Sequence, residues 1–496
     1  MTDRSQSIQY LLLFIAGTLF PLGLAPFMFW PLVTLSMAML FSSLTALTVK
    51  KAFLNTLAYG FGIYIAGASW LYVSIHEYGF VPAPLAMLAT ILFCLFLASV
   101  FAIPFALAAF MPNNQQSLLF GLPAIWVISE WMRTWVLTGF PWLFAGYSHT
   151  ETWLNGWAPI GGVLWLSFIS AVLAMLLTNF ARSDNRQSQI GRFILTLFVI
   201  FGSGWMLQQL EWTKDHDKSI TVALVQPNIS QKEKWSPSRQ ANILKQLTDQ
   251  TKPVWGRDLI VWPEAAIPTI EQRIPTFMAD LQTMAKDQNS TVLTGIIRYD
   301  DNNKSYHNSL IAVNENQQNY DKTRLVPFGE YVPLENLLRG LIRFFDLPMS
   351  SLSLGDAQQN PFVIKEQTIA PSICYEVVYP DLIARNSSVA SVLLTVSNDT
   401  WFGSSLGPLQ HMQMAQMRAI ENAKPMIRAT NNGISGLIDH RGNIYERAQK
   451  NTSTVLSGKI QPRVGRTLFS YTGSLPIVML ALLIGLFLIL KRKLIS

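Results

Sequence analysis

The chain places one long apolar stretch after another, and such stretches have few ways to fold. "IQYLLLFIAGTLFPLGLAPF", "PLAMLATILFCLFLASVFAIPFALAAF" and "GRFILTLFVIFGSGWML" all lie between Ile8 and Leu207. Each is near or above the ~20 residues a helix needs to cross a bilayer, and by that rule about seven such segments precede residue 210. One more, "GSLPIVMLALLIGLFLIL", lies near the C-terminus. A lipid core admits only backbone that satisfies its own hydrogen bonds, so these segments are predicted to be helices. Only 14% of the 496 residues are charged, against about a quarter in soluble domains. Between residues 211 and 467 the composition turns polar, over the length of one large soluble domain. The organisation is therefore read as 1–210, transmembrane helices; 211–467, a soluble domain; and 468–496, a last helix with a short tail. Further spans follow the first one and no small-residue cleavage pattern succeeds Ile8 to Phe20, so the start is not read as a signal peptide.

Positive charge near span ends marks the cytoplasmic side. Lys50 and Lys51 follow the second segment, Arg182, Arg186 and Arg192 the sixth, and Lys491, Arg492 and Lys493 the last. This pattern predicts that both termini are cytoplasmic and that residues 211–467 face the opposite side, in a bacterium the periplasm. The net charge of +7 comes partly from these anchors. No basic strip with interleaved aromatics appears, which argues against nucleic acid as a partner. No cluster has metal-ligand spacing, so no metal and no cofactor are expected, and His411 is read as a structural polar residue. The two cysteines, Cys94 in an apolar span and Cys374 in the polar domain, are not expected to meet. Cys374 would then be a lone thiol in an oxidising space, which calls for an explanation.

Within the polar domain, strand-like and helix-like runs alternate. "SITVALVQPN", "RDLIVWPEAAIP", "TIAPSIC" and "VASVLLTVSND" read as strands; "STVLTGIIRY" and "HNSLIAVNE" read as a pair across "DDNNKS". "SPSRQANILKQLTDQTK", "RIPTFMADLQTMAKDQN" and "GPLQHMQMAQMRAIENA" read as helices, and "KPMIRATNNGISGLIDHRGNIYER" as two short strands with turns. The alternation favours an α/β sheet covered by helices. Three strand ends carry chemically complementary residues, where chemistry gathers in open α/β folds. Cys374 ends "TIAPSIC", Glu264 sits in "LIVWPEAAIP", and Lys322 in "YDKTRLVPFGEYVP". Only a thiolate attacks, so a thiol needs a base. A carboxylate can be that base, and an ammonium can hold an oxyanion. Singly, each has a plainer reading: an inert core thiol, a turn cap, a solvated lysine. Together they suggest a nucleophile with its base and its electrostatic support.

"WPEAAIP", "YDKTRLVPFGEYVP" and "ICYE", in that order, resemble the Glu-Lys-Cys pattern of the nitrilase superfamily. "LVPFGEYVP", "VQPNISQKEKW", "VSNDTWFG" and "RATNNGISG", joined to a multispan segment, resemble the apolipoprotein N-acyltransferase family. The resemblance implies a membrane domain of about eight helices plus a nitrilase-like αββα sandwich. It implies transfer of an acyl chain from a phospholipid to the N-terminal amine of a diacylglyceryl-modified lipoprotein, through a thioester on the enzyme. It also implies that the protein is a monomer of the bacterial inner membrane. Carried onto this chain, it makes Glu264 the general base, Lys322 the transition-state stabiliser and Cys374 the nucleophile. Glu330, Tyr375 and Glu376 would support them, and Trp235 and Asn308 would handle substrate. The same three residues are also compatible with a membrane-anchored amidase acting on a small molecule.

Two further features stand out. Glu130 and Arg133 lie in the apolar run "AIWVISEWMRTWV", at the i,i+3 spacing that lets them pair. Residues 334–355, with Leu337, Leu341, Phe344 and Phe345 interleaved with Arg339 and Arg343, read as an amphipathic segment that dips into the lipid interface as a lid or guide. Replacing Phe344 and Phe345 by Ser is expected to slow lipid turnover measured on phospholipid micelles; unchanged turnover would contradict the lid.

Overall fold

A computed structural model describes residues 3–45, 47–327, 329–331 and 352–495. Most of the expected lid, 334–351, lies outside the described residues. The chain divides into two compact units, one of residues up to Tyr72, Pro82–Glu211 and from Thr472 on, the other of Val73–Val81 and Trp212–Tyr471.

The first unit is helical. Among the described residues, five helices are long and apolar enough to cross a bilayer: Ser5–Gly23, Ala83–Phe110, Trp153–Arg182, Gln189–Gln208 and Leu475–Leu494. Val49–Gly67 with Leu71–Tyr78, bent by 59°, adds a sixth if counted as one span, and Trp30–Ser42 is a shorter apolar helix. Thr48 accepts from Lys51 N and Asn114 from Ser117 N, which caps the helices that follow them. The lipid-directed sides are bare: Phe198, Leu195 and Met206 on the Arg186–Gln208 helix are all exposed. A face of that size is stable only against an apolar medium.

Helices Asp3–Leu19 and Val49–Gly67 approach backbone to backbone. A Cβ on Gly17 would lie 2.1 Å from Tyr59 O, and one on Gly62 2.1 Å from Phe14 O. Small residues at such a crossing let the helices gain dispersion contact where no hydrophobic effect drives them together. The charged pair has a structural use. Glu130 accepts hydrogen bonds from Trp126 Nε1 and Ala145 N, both at 2.8 Å. Arg133 donates to Trp142 O at 2.6 Å and lies 4.9 Å from the Phe144 ring centre. Their mutual separation is 3.9 Å, so the two charges are matched mainly by the loop they hold.

The second unit contains two facing sheets. The first runs, from edge to edge, Thr454–Ile460, Ile220–Gln226, Leu259–Val261, Thr291–Asp300, Ser305–Val313 and Asn319–Asp321, with Ile267–Ile270 also paired to Thr291–Asp300. The second runs Ile444–Arg447, Gly436–Ile438, Met426–Thr430, Val392–Ser397, Gln367–Ile373 and Phe362–Ile364. The segment from Met426 to Arg447 thus makes three strands rather than the two expected. Both anticipated turns are present, and each separates a pair of strands.

Side chains alternate across a strand, and the burial follows. Val222, Leu224, Leu293 and Leu310 of the first sheet form one core with Ile369, Ile373, Leu394 and Ile427 of the second. Ala223, Val225, Ile260 and Trp262 face the other way and pack on Ile243, Leu247 and Leu281. Those three belong to helices Gln240–Thr251 and Pro275–Asp287. Helix Gly407–Asn422, almost wholly buried, lies on the far side with Pro380–Ser387. The result is a four-layered αββα sandwich whose central strands are buried on both faces, while the edge strands Ile444–Arg447 and Thr454–Ile460 are partly exposed. Val73–Val81, read in the sequence as part of the membrane segment, belongs with this unit. Ser74 Oγ donates to Trp401 O at 2.7 Å, and the Tyr78 and Trp401 rings meet edge to face.

Gly62→Val should force the first and third apolar helices apart. Overpacking costs typically about 1–3 kcal/mol, so the protein in detergent should melt several degrees lower, read by its loss of monodispersity on heating.

Candidate active site

The expected residues come to one place because three strands end there. Leu259–Val261 runs into Glu264, Asn319–Asp321 into Lys322, and Gln367–Ile373, from the opposite sheet, into Cys374. Lys322 is fully buried. Its Nζ lies 3.2 Å from Glu264 Oε1 and 2.9 Å from the Glu330 carboxylate. Asn308 Nδ2 donates to both of those carboxylates at 2.8 Å. Its main-chain oxygen accepts from Lys322 N. The other oxygen of Glu264 accepts from Asn398 N, and the other oxygen of Glu330 from Val326 N, each at 2.8 Å. Neither carboxylate could be buried in this way without such partners.

The charges set the protonation states. Burial pushes the Glu264 carboxyl up, but Lys322, Asn308 and Lys234 more than offset it and hold it below the usual carboxylate range. Burial works against the Lys322 ammonium, yet Glu264, Glu330 and Cys374 outweigh it and hold its proton more tightly than usual. The Cys374 thiol is pushed up by burial and then by the Glu264 charge, with Lys322 pulling the other way. At neutral pH the site therefore rests as carboxylate, ammonium and neutral thiol. Two adjacent anions are disfavoured, so the Glu264 charge works against ionisation of the sulfur.

Cys374 sits on a sharp turn. Its φ is +53°, in the left-handed region, and it opens the one-turn helix Cys374–Val378. A non-glycine residue held there stores strain that its surroundings must over-determine. Glu376 does much of this. Its buried carboxylate accepts from Ile373 N at 2.7 Å, from Thr323 N at 2.6 Å and from Tyr320 OH at 3.0 Å. One side chain thus ties the residue before Cys374 to both neighbours of the Lys322 strand end. Behind the turn, His411 Nε2 lies 3.2 Å from Cys374 O. A carbonyl can only accept, so this nitrogen carries the proton. Burial and the Arg428 charge lower the proton affinity of His411. Its Nδ1 lies 3.1 Å from both Asp399 Oδ1 and Arg428 Nη2, and Arg428 donates to Asp399 at 2.8 Å.

The remaining expected residues stand around this centre. Tyr375 is buried beside Tyr379, ring centres 5.3 Å apart. Trp235 packs against the satellite cluster of Ile297, Leu325 and Leu352, with Tyr331. The chain returns from 351 to the site through Leu352 N, bonded to Glu330 O, and Gly355 N, bonded to Lys322 O. Among the participants not singled out in the sequence are Lys234, Asn398, Asp399 and Arg428. All lie within motifs that carry the family resemblance, but polar residues in a loop do not announce which backbone they will meet. His411, read as a structural polar residue, holds the carbonyl of Cys374. Among the described residues, no group of three or more His, Cys, Asp or Glu side chains could hold a metal ion.

Lys322→Met would leave Glu330 buried without a counter-charge and Glu264 with only that of Lys234, at a cost of about 3–5 kcal/mol at pH 7. Their carboxyls would then take up protons above the unfolded-state values, so the deficit should shrink as pH falls from 7 to 5. Thermal unfolding in detergent at the two pH values checks this; an equal deficit at both would contradict the charge assignment.

Residues 221–468 match the carbon-nitrogen hydrolase family, and residues 16–176 the apolipoprotein N-acyltransferase N-terminal domain. A protein named apolipoprotein N-acyltransferase from Pseudomonas aeruginosa (strain LESB58) is 42% identical, with 98% of this chain and 96% of that one covered. The proteins of that name from Pseudomonas syringae pv. tomato and Vibrio cholerae are 42% and 38% identical, covering 96% and 93% of this chain and 95% and 93% of their own. Among solved structures, Saccharomyces cerevisiae Nit3, a member of branch 10 of the nitrilase superfamily, is 19% identical. It covers 54% of this chain and 97% of its own, with a TM-score of 0.39.

Proposed function

The chain belongs to the apolipoprotein N-acyltransferase family, and from that premise we propose how its site works and where it faces. The protein is a bacterial membrane enzyme that N-acylates lipoproteins. In our reading the donor is a phospholipid, and Glu264, Lys322 and Cys374 are the base, the electrostatic stabiliser and the nucleophile. The observation that carries this reading is the buried Glu264–Lys322 pair, 3.2 Å apart, whose two charges act on the Cys374 thiol.

Glu264 takes the thiol proton as the sulfur attacks the ester carbonyl of the phospholipid. Lys322 and a main-chain N–H, that of Tyr375, face the developing oxyanion; such a donor contributes about 3–4 kcal/mol in studied sites. The tetrahedral species collapses, the ester C–O bond breaks, and the protonated Glu264 returns its proton to the departing lysophospholipid. The acyl group now rests on Cys374 as a thioester. The diacylglyceryl lipoprotein enters, Glu264 receives a proton from its α-amine, and nitrogen attacks the thioester. Sulfur leaves as the amide forms and regains its proton from Glu264. This is covalent ping-pong catalysis, and it needs no ATP because an amide is more stable than a thioester. Asn308 and Glu330 would keep Lys322 in place, Glu376 and Tyr375 the nucleophile turn, and Trp235 would contribute an apolar wall for the lipid.

A periplasmic catalytic domain with both termini in the cytoplasm fits the placement of Lys50, Lys51, Arg182 and Arg492. It is also supported by Val73–Val81, which follows the third apolar helix and packs with Trp212–Tyr471, as expected if both emerge on one side. A membrane-anchored amidase is not favoured, because the relatives match the apolar segments as well as the hydrolase domain.

Purified protein incubated with phospholipid and no acceptor should gain the mass of one acyl chain on Cys374, and Cys374→Ala should gain none. Donor consumption without an adduct on Cys374 would overturn the thioester route.

A further inference from the structure

Lys234 is 1% exposed. It closes the short helix Gln231–Lys234, on the chain stretch that enters the site ahead of Trp235. A lysine buried this deeply normally pairs with a carboxylate. Lys234 instead donates to the main-chain oxygen of Glu264, at 3.1 Å. The charges that act on it are those of Glu264 and Cys374. The same helix is tied to the site a second time, since Asn398 Nδ2 donates to Gln231 Oε1 at 2.8 Å while Asn398 N donates to Glu264 Oε2. The backbone at Glu264 needs such restraint: the next residue, Ala265, has a φ of +44°.

We propose that Lys234 is a positioning residue for the acyl transfer, which fixes the main chain of Glu264 and adds to Lys322 a second positive charge beside the Glu264–Cys374 pair. The inference rests on the reading of Glu264 as base and Cys374 as nucleophile. During attack, negative charge leaves the carboxylate, passes through sulfur and ends on the carbonyl oxygen. An ammonium close to the whole path lowers its energy throughout, and in the resting site it helps keep Glu264 ionised. The other charged groups that face the pair are Lys322, Glu330 and, behind Cys374, Asp399 with His411 and Arg428. Burial lowers the proton affinity of Lys234 to a pKa of about 8, with Glu264 and Cys374 pulling it back up. The second charge is therefore lost at mildly alkaline pH, while that of Lys322 persists.

The test is the single-turnover acylation of Cys374 by phospholipid in detergent, without acceptor amine, from pH 5.5 to 9.5. Wild type, Lys234→Met and Lys234→Arg are compared, each with its melting temperature. Acylation by wild type should fall above about pH 8, and Lys234→Arg, which stays charged, should lack that descending limb. Lys234→Met should be about 10-fold slower at pH 6, the loss of about 1.4 kcal/mol of charge stabilisation along the path of the transferred charge, and should converge toward wild type at pH 9. Parallel curves for wild type and Lys234→Met, or the same descending limb in wild type and Lys234→Arg, would overturn the proposal. If Lys234→Met does not fold, the arginine comparison decides alone. Absence of any adduct on wild-type Cys374 would instead overturn the catalytic reading on which the proposal rests.

Discussion

A buried ammonium between two buried carboxylates is the interaction on which the catalytic unit depends. Lys322, Glu264 and Glu330 are all nearly solvent-free, and each alone would be too costly to bury. They are tolerated because every one is bonded more than once. Asn308 bridges the carboxylates, and main-chain N–H groups of Val326 and Asn398 complete their shells. These donors come from three separate stretches of chain. Satisfying three charges therefore also brings the strand ends of one sheet to the loop after Val392–Ser397 of the other.

The same economy governs the turn at Cys374. Side chains on an extended strand alternate between the two faces of the sheet; at Cys374 a left-handed φ of +53° breaks that alternation where the strand ends. The turn is strained, and Glu376 and His411 hold it from opposite sides. Because the Glu376 carboxylate also accepts from Thr323 N, the positions of sulfur and ammonium are set by one shared group. The strained turn and the Lys322 strand end are thus held by one buried side chain.

The helical unit answers to a different solvent. Its helices leave large side chains on the outside and place small or polar ones between neighbours, as at Gly17, Gly62 and Ser36, whose Oγ bonds Ala16 O. Glu130 and Arg133 show how such a unit uses charge: both are spent on a loop of the unit, through Ala145 N and Trp142 O.

Much of this was legible in the residues alone. Apolar length announced the helices, and period-two burial with Pro and Gly boundaries announced most strands. The complementary chemistry of Glu264, Lys322 and Cys374 at strand ends anticipated that the three would gather in one place, as the fold has them. Other features were not legible. The short strands Met426–Thr430, Gly436–Ile438 and Ile444–Arg447 are separated only by turns, and local pattern does not say how many pairings a turn-rich stretch will make. The assignment of Val73–Val81 to the catalytic unit depends on its meeting Trp401, more than three hundred residues away. Lys234, Asn398 and His411 act through backbone atoms of residues distant in sequence, and a side chain's type does not reveal which carbonyl or N–H it will find. What the sequence by itself determined was the medium of each segment and the reactive groups at strand ends, because both follow from local side-chain chemistry. Only the tertiary structure decided how those groups are charged and held, because protonation and strain depend on burial and on partners that the fold brings together.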